Sequence, residues 1–229
     1  MTMAKPEPKS PYLEAQDVLK EAMREVHVIA GFDRAEVDGD RAIAIGVTSP
    51  NSGDGKTTVA LALAGSMSLD YEADVMLVDA DFHTHSVGAS FGLQNREGLS
   101  EVIAGRSTLE SVRQRVAARN LSVVTAGTLP GDPARLARSE QVIGLIENMK
   151  RASKYVVIDL PATLRSMNAP VLAQRCDGVI VVVRHGRTTR HELERTLHLL
   201  RDANVLGVVV NRHKSSTPEW VQRALSLRT

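Results

Sequence analysis

Thr48-Ser49-Pro50-Asn51-Ser52-Gly53-Asp54-Gly55-Lys56-Thr57-Thr58 stands between two apolar runs, Ala42 to Val47 before it and Val59 to Met67 after it. Strand, glycine loop and helix in that order are the setting a phosphate-binding loop needs. Gly53 and Gly55 allow the backbone to turn tightly and bring its N–H groups close to phosphate oxygens. The helix that follows points its positive dipole end at the same anion. Lys56 adds a mobile cation for the outer phosphates, and the Thr57 hydroxyl can ligate Mg²⁺. Pro50 replaces the first glycine of G-x-x-x-x-G-K-[ST]. An ordinary Gly/Ser turn is the plainer reading, but Gly-Lys-Thr in a strand-to-helix setting argues against it. The dinucleotide pattern G-x-G-x-x-G is absent, because Thr58 follows where its last glycine would fall.

The rest of the sequence fits around this loop. Val75 to Val78 is a short apolar run ending in Asp79-Ala80-Asp81, and Tyr155 to Ile158 ends in Asp159-Leu160-Pro161 in the form of a Walker B strand. Carboxylates at the C-terminal ends of strands face the ligand crevice of an open α/β sheet. Phosphoryl transfer needs a held Mg²⁺, a positioned nucleophile and positive charge on the transferred group. Lys56, Thr57 and one or two of Asp79, Asp81 and Asp159 supply most of that set. The competing reading makes each aspartate a strand-ending turn cap. Further strands are expected at Leu121 to Thr125, Gly178 to Val183 and Val205 to Val210. Helices are expected at Leu99 to Ala104, Leu109 to Ala118, Ser139 to Ala152, Ala169 to Ala173 and from a Thr188 cap to Ala203. Residues 82 to 98 read as loop. Strands alternate with helices, and the strands are continuous Val/Ile runs, so the fold is α/β. A mostly parallel central sheet carries helices on both faces, as in P-loop NTPases.

Length and charge narrow the function. The chain has 229 residues, one cysteine and a formal net charge of +1. That suits a flexible tail over residues 1 to 11 followed by a single domain over residues 12 to 229. Cys176 precedes an apolar strand and reads as packing. One cysteine allows no internal disulfide, so a reducing, cytoplasmic setting is expected. Nothing in the charge argues for nucleic acid. No run approaches a membrane span of about 20 apolar residues, and the N-terminus has no signal-peptide core. Tyr12 to Ala30 is helical by period, with Glu21, Arg24 and His27 along one ridge. A last helix, capped by Thr217, has Trp220, Val221, Ala224 and Leu225 on one side, which reads as core docking. Asp81, His83 and His85 alternate, but no further ligand cluster supports a transition-metal site. Arg187 and Arg190 are expected to start a helix as solvated charges.

These motifs resemble the bacterial tyrosine autokinases of polysaccharide export, the BY-kinases, relatives of MinD- and ParA-like ATPases. The resemblance rests on the loop, the Asp79-x-Asp81 strand, Phe91-Gly92-Leu93, Gly98 to Gly105, Tyr155 to Pro161, Gly186 to Arg190 and Leu206 to Asn211. It runs in order over roughly residues 13 to 212. Asn51 stands where MinD-like relatives carry a signature lysine, which favours the autokinase branch. The resemblance implies ATP and Mg²⁺ as ligands, with nucleotide contacts from Ser52, Gly53, Asp54, Gly55, Lys56, Thr57 and Thr58. It implies that Asp79 activates the attacking hydroxyl, that Thr57, Asp81 and Asp159 hold Mg²⁺, and that Asn211 lies near adenine. Glu21, Arg24 and His27 would form a contact between subunits of a homo-oligomer. The partner would be a membrane polysaccharide co-polymerase that sets chain length, recruiting the protein to the inner face of the membrane.

The departures are specific. His27 replaces an arginine, and residues 82 to 86 read Phe-His-Thr-His-Ser where the family has Leu-Arg-Arg-Pro. Tyr12, Tyr71 and Tyr155 are the only tyrosines, and Tyr12 is the most reachable. Three functions stay open: a tyrosine kinase, an ATPase switch without kinase activity, and an assembly module that uses nucleotide for structure. If His83 and His85 stand near the active site, activity rises as pH falls toward about 6.5.

Overall fold

The protein is described by a computed structural model over residues 42–70, 73–116, 120–128 and 140–212, with the side chains of 140–143 left aside. The ridge Glu21, Arg24 and His27, together with Tyr12, Tyr71, the tail and the last helix, lies outside these residues.

Seven strands form one sheet: β1 (Ile43–Thr48), β2 (Val75–Asp79), β3 (Gln114–Arg115), β4 (Leu121–Val124), β5 (Tyr155–Asp159), β6 (Gly178–Arg184) and β7 (Val205–Asn211). Their order is β3-β4-β2-β5-β1-β6-β7. All neighbours run parallel except β3 with β4. The described helices are α1 (Lys56–Asp70), α2 (Ser86–Ser90), α3 (Leu99–Ile103), α4 (Leu109–Val112), α5 (Glu140–Ala152), α6 (Asn168–Ala173) and α7 (Arg190–Leu199). Among the described residues no helix is long and apolar enough to cross a membrane.

The unbroken apolar strands follow from burial on both faces, because successive side chains point to opposite sides. Ile45, Val47, Leu77, Val157 and Ile180 pack on Val59, Leu63 and Met67 of α1. Ala44, Met76, Val78, Val156, Ile158 and Val181 pack on Leu145, Ile146 and Met149 of α5 on the opposite face. Each such side chain contributes about 1.5–3 kcal/mol relative to exposure. Parallel pairing puts every strand's C-terminal end on one edge of the sheet, and its register sets Asp79 beside Asp159 and Asp159 beside Val47. Cys176 is buried, and burial pushes its thiol up to about 12, so it packs rather than reacts.

Four expectations need correction. Residues 82 to 98 are not all loop, because α2 forms at Ser86–Ser90. Five residues are too few to show a helical period, and this turn is held from a distance by the Val87 N–H donated to Asp79 Oδ2. The helix expected to reach Ala118 stops at Val112, and Gln114 and Arg115 pair antiparallel with β4. Arg113 is extended there, its guanidinium spanning Ser122 Oγ, the Ala152 carbonyl and Ser153 Oγ. The helix after β6 is capped by Thr189, not Thr188, and ends at Leu199, not Ala203. The Thr188 hydroxyl instead accepts the Arg184 N–H. Last, β7 is not fully covered, since Val208 and Val210 are exposed on this edge strand.

Glu101 knits the front of the fold together. Its carboxylate accepts the Gly98 N–H at 2.7 Å, the Ser100 hydroxyl, and both the N–H and hydroxyl of Thr128 at 2.9 Å. Burial alone would push this carboxyl up, but the Gly98 and Thr128 amides outweigh it and hold it at about 2, below 4.5. A depressed carboxyl stabilises the fold above its unfolded pKa, and that stability is lost as pH falls from 4.5 toward about 2. Glu101→Gln should therefore lower stability by roughly 2–3 kcal/mol at pH 7, read from urea midpoints, with the deficit shrinking between pH 5 and pH 3.

Candidate active site

Gly53 and Gly55 adopt φ of 83° and 104°, the left-handed region a side chain resists. A side chain at Gly55 would also collide with the Asn211 amide. That amide donates from Nδ2 to the Asp54 carbonyl at 2.9 Å, so the end of β7 holds the loop. The Asp54 side chain turns inward, fully buried, and its Oδ2 accepts the Asn51 N–H at 2.9 Å. The chain after β5 fixes the loop's other flank. Thr163 N–H donates to Ser49 O, Leu164 N–H donates to Pro50 O, and the Thr48 hydroxyl donates to Pro161 O. Ser52, Gly53 and Thr58 are exposed along the loop.

Lys56 begins α1 and is 4 % exposed. Its Nζ lies 2.9 Å from Asp81 Oδ2 and 3.2 Å from Asp159 Oδ1. Thr57 Oγ1 donates to Asp159 Oδ2 at 2.6 Å. Asp79 is fully buried, and its two oxygens accept the Asp81 and Val87 N–H groups at 3.0 and 3.1 Å. Lys56, Thr57, Asp79, Asp81 and Asp159 thus converge, as their positions at strand ends and in the loop predict.

One ammonium faces three carboxylates, and burial sharpens the competition. Burial would lower Lys56, but Asp159 and Asp81 more than offset it and hold the lysine above its ordinary value. Asp81 is pushed up by burial, yet the Lys56 charge and hydrogen bond win and lower it. Asp159 is pushed up by burial, which Lys56 and Thr57 only partly offset. Asp79 rises to about 7, first through burial and then through the Asp159 charge. The lysine stays charged, while Asp79 and Asp159 are both shifted toward their protonated forms.

The donor set fits a nucleotide with Mg²⁺. Mg²⁺ keeps several waters and takes one or two carboxylates plus substrate phosphates rather than a full protein cage. Among the described residues no group of three or more His, Cys, Asp or Glu is placed to hold a metal ion. His83 and His85 are both exposed on the loop beyond Asp81. Arg190 is a solvated charge paired with Glu194, whereas Arg187 precedes α7 and is exposed near Gly53.

Two contacts escaped sequence reading: Asn211 with Asp54 and Asn51 with Glu192. Asn51 Nδ2 donates to Glu192 Oε1 at 2.8 Å. Only the Thr189-x-x-Glu192 capping box carried a sequence signal for any of them.

Comparison with known proteins gives the same picture. The family described as the CobQ/CobB/MinD/ParA nucleotide binding domain matches residues 45–225. Tyrosine-protein kinase YwqD of Bacillus subtilis is 30% identical over 172 residues, 74% of this chain and 72% of that protein. Tyrosine-protein kinase ptk of Acinetobacter johnsonii is 28% identical over 86% of this chain, which spans only 26% of ptk. The kinase domain of the Escherichia coli tyrosine kinase ETK superposes with a TM-score of 0.76 at 25% identity, covering 87% of this chain and 79% of that one.

Removing Lys56 leaves two buried carboxylates without their cation. Lys56→Met should cost about 3–5 kcal/mol at neutral pH. Acids with raised folded pKa values lose stability as pH climbs past their unfolded value near 3.8, so the deficit should be largest above pH 7 and shrink toward pH 4–5. Thermal unfolding of both proteins across that range measures it.

Proposed function

Since the chain belongs to the CobQ/CobB/MinD/ParA nucleotide-binding family, we propose that it binds ATP and transfers the γ-phosphoryl group to a protein tyrosine. The likeness to YwqD and to the ETK kinase domain supports this choice within the family. The observation that carries it is Lys56 at the start of α1, within reach of Asp81 just after β2 and Asp159 at the end of β5. The N–H groups around Gly53 and Gly55 take the phosphates, and Lys56 turns from its carboxylates to the outer ones. Thr57, Asp81 and Asp159 would hold Mg²⁺, which supplies charge neutralisation on the phosphates. Asp79, poised at about 7, suits a base that accepts the tyrosine proton as the new O–P bond forms and ADP leaves. Ser52 and Thr58 line the loop, and Asn211 supports it from behind while standing beside the expected adenine site.

A second reading is an ATPase switch without kinase activity. Two observations favour it: Tyr155 is 1 % exposed inside the sheet, and both Asp79 oxygens already accept amides. Tyr12 is then the first acceptor to test. The wider setting proposed is cytoplasmic, with recruitment to the membrane by a polysaccharide co-polymerase. Homo-oligomer contacts would run through Glu21, Arg24 and His27, with no nucleic acid partner.

Purified protein with ATP and Mg²⁺ should release phosphate and acquire phosphotyrosine by mass spectrometry. Lys56→Met should reduce both at least about 100-fold, and Tyr155→Phe should leave them unchanged. Phosphate release without phosphotyrosine selects the switch.

The pH profile tests the base. Turnover should rise through about pH 7 as Asp79 loses its proton, and Asp79→Asn should remove that limb along with about 100-fold in rate. A rate that shows no rise through about pH 7 removes Asp79 as the base.

A further inference from the structure

Arg187 is exposed in the turn between β6 and α7, and its guanidinium lies near Gly53 of the phosphate loop. Nη1 lies 3.4 Å from where a side chain on Gly53 would begin. The turn is tightly made: Arg187 N–H and Thr188 N–H both donate to Arg184 O, and Thr188 Oγ1 accepts the Arg184 N–H. Two separate ties hold this segment to the loop. On one side His185 N–H donates to Asn211 O, while the Asn211 side chain donates to Asp54 O. On the other, Glu192 at the start of α7 takes the Asn51 amide. Arg187 is carried between them.

Among the described residues Arg187 forms no ion pair, whereas Arg190 is bonded to Glu194 at 2.7 Å and Lys56 is shared between two carboxylates. Lys56 therefore brings little net positive charge to the loop. A triphosphate carries one more charged group than a diphosphate, and a guanidinium stays ionised and binds phosphate oxygens in pairs. Resting on the reading that this loop holds a nucleotide, we propose that Arg187 is a second phosphate-binding cation. It closes on the outer phosphates from within the same chain and makes the loop favour triphosphate over diphosphate.

Calorimetric titration with a non-hydrolysable ATP analogue and with ADP, both with Mg²⁺, tests this in wild type, Arg187→Ala, Arg187→Lys and Arg190→Ala. Thermal midpoints of the four proteins check folding. Arg187→Ala should weaken the triphosphate about tenfold or more and ADP less than about threefold. Arg187→Lys should recover part of the loss, and Arg190→Ala should match wild type. An unchanged ratio of the two affinities in Arg187→Ala overturns the inference and leaves nucleotide binding standing. Equal loss in Arg187→Ala and Arg190→Ala also overturns it, since any surface cation would then do the same. A folded wild type that takes up neither nucleotide sinks the nucleotide reading and this inference with it.

Discussion

The contact of Lys56 with Asp81 and Asp159 is the constraint on which the rest of the structure depends. A cation 4 % exposed is tolerable only with buried counter-charges close by. Those counter-charges come from the chain just after β2 and from the end of β5, so β5 must pair in register with β1 and β2 in register with β5. Pairing of Asp79 with Asp159 meets that demand, and it crowds a third carboxylate into the same pocket. One lysine cannot neutralise three acids. The rise of Asp79 to about 7 comes first from its own burial and then from the neighbouring Asp159 charge.

The loop itself is shaped by its surroundings. Two residues in left-handed conformation and a carbonyl held by Asn211 leave room for little beyond glycine at position 55. Asp54 serves this shape, its carboxylate turned inward to Asn51 rather than outward to a ligand. Asn51 is in turn engaged by Glu192 within the same chain. A lysine in its place would carry a charge and a longer reach. The amide instead ties loop to helix, and that tie brings the β6–α7 turn close. Ligand site and edge of the sheet are in this way one mechanical unit, with β7 as its outer wall.

The strand, loop and helix order is common to many nucleotide-binding proteins, so it speaks for phosphate and not for a particular acceptor. The two aspartates of Asp79-Ala80-Asp81 do different work despite their spacing. Asp81 neutralises the lysine, while Asp79 accepts two amides and pins the start of α2. Tyr155, which sequence order puts at the head of a Walker B strand, is a core residue packed against α1.

What the sequence determined by itself was everything that obeys a local rule. Gly53-x-Gly55-Lys56-Thr57 between apolar runs named the loop. Unbroken Val and Ile runs named a parallel sheet, and an aspartate closing each of two runs named the acidic side of the site. Tertiary structure alone decided α2, the β3 hairpin arm, and the partners of Asn51, Asp54 and Lys56. The Lys56–Asp159 bond spans 103 residues and the Asn211–Asp54 bond 157. No periodicity or capping pattern reaches that far, because such patterns record only how a residue sits relative to its own turn or pleat. Which carboxylate holds its proton was out of reach for the same reason: it depends on burial and on charges that only the folded sheet brings together.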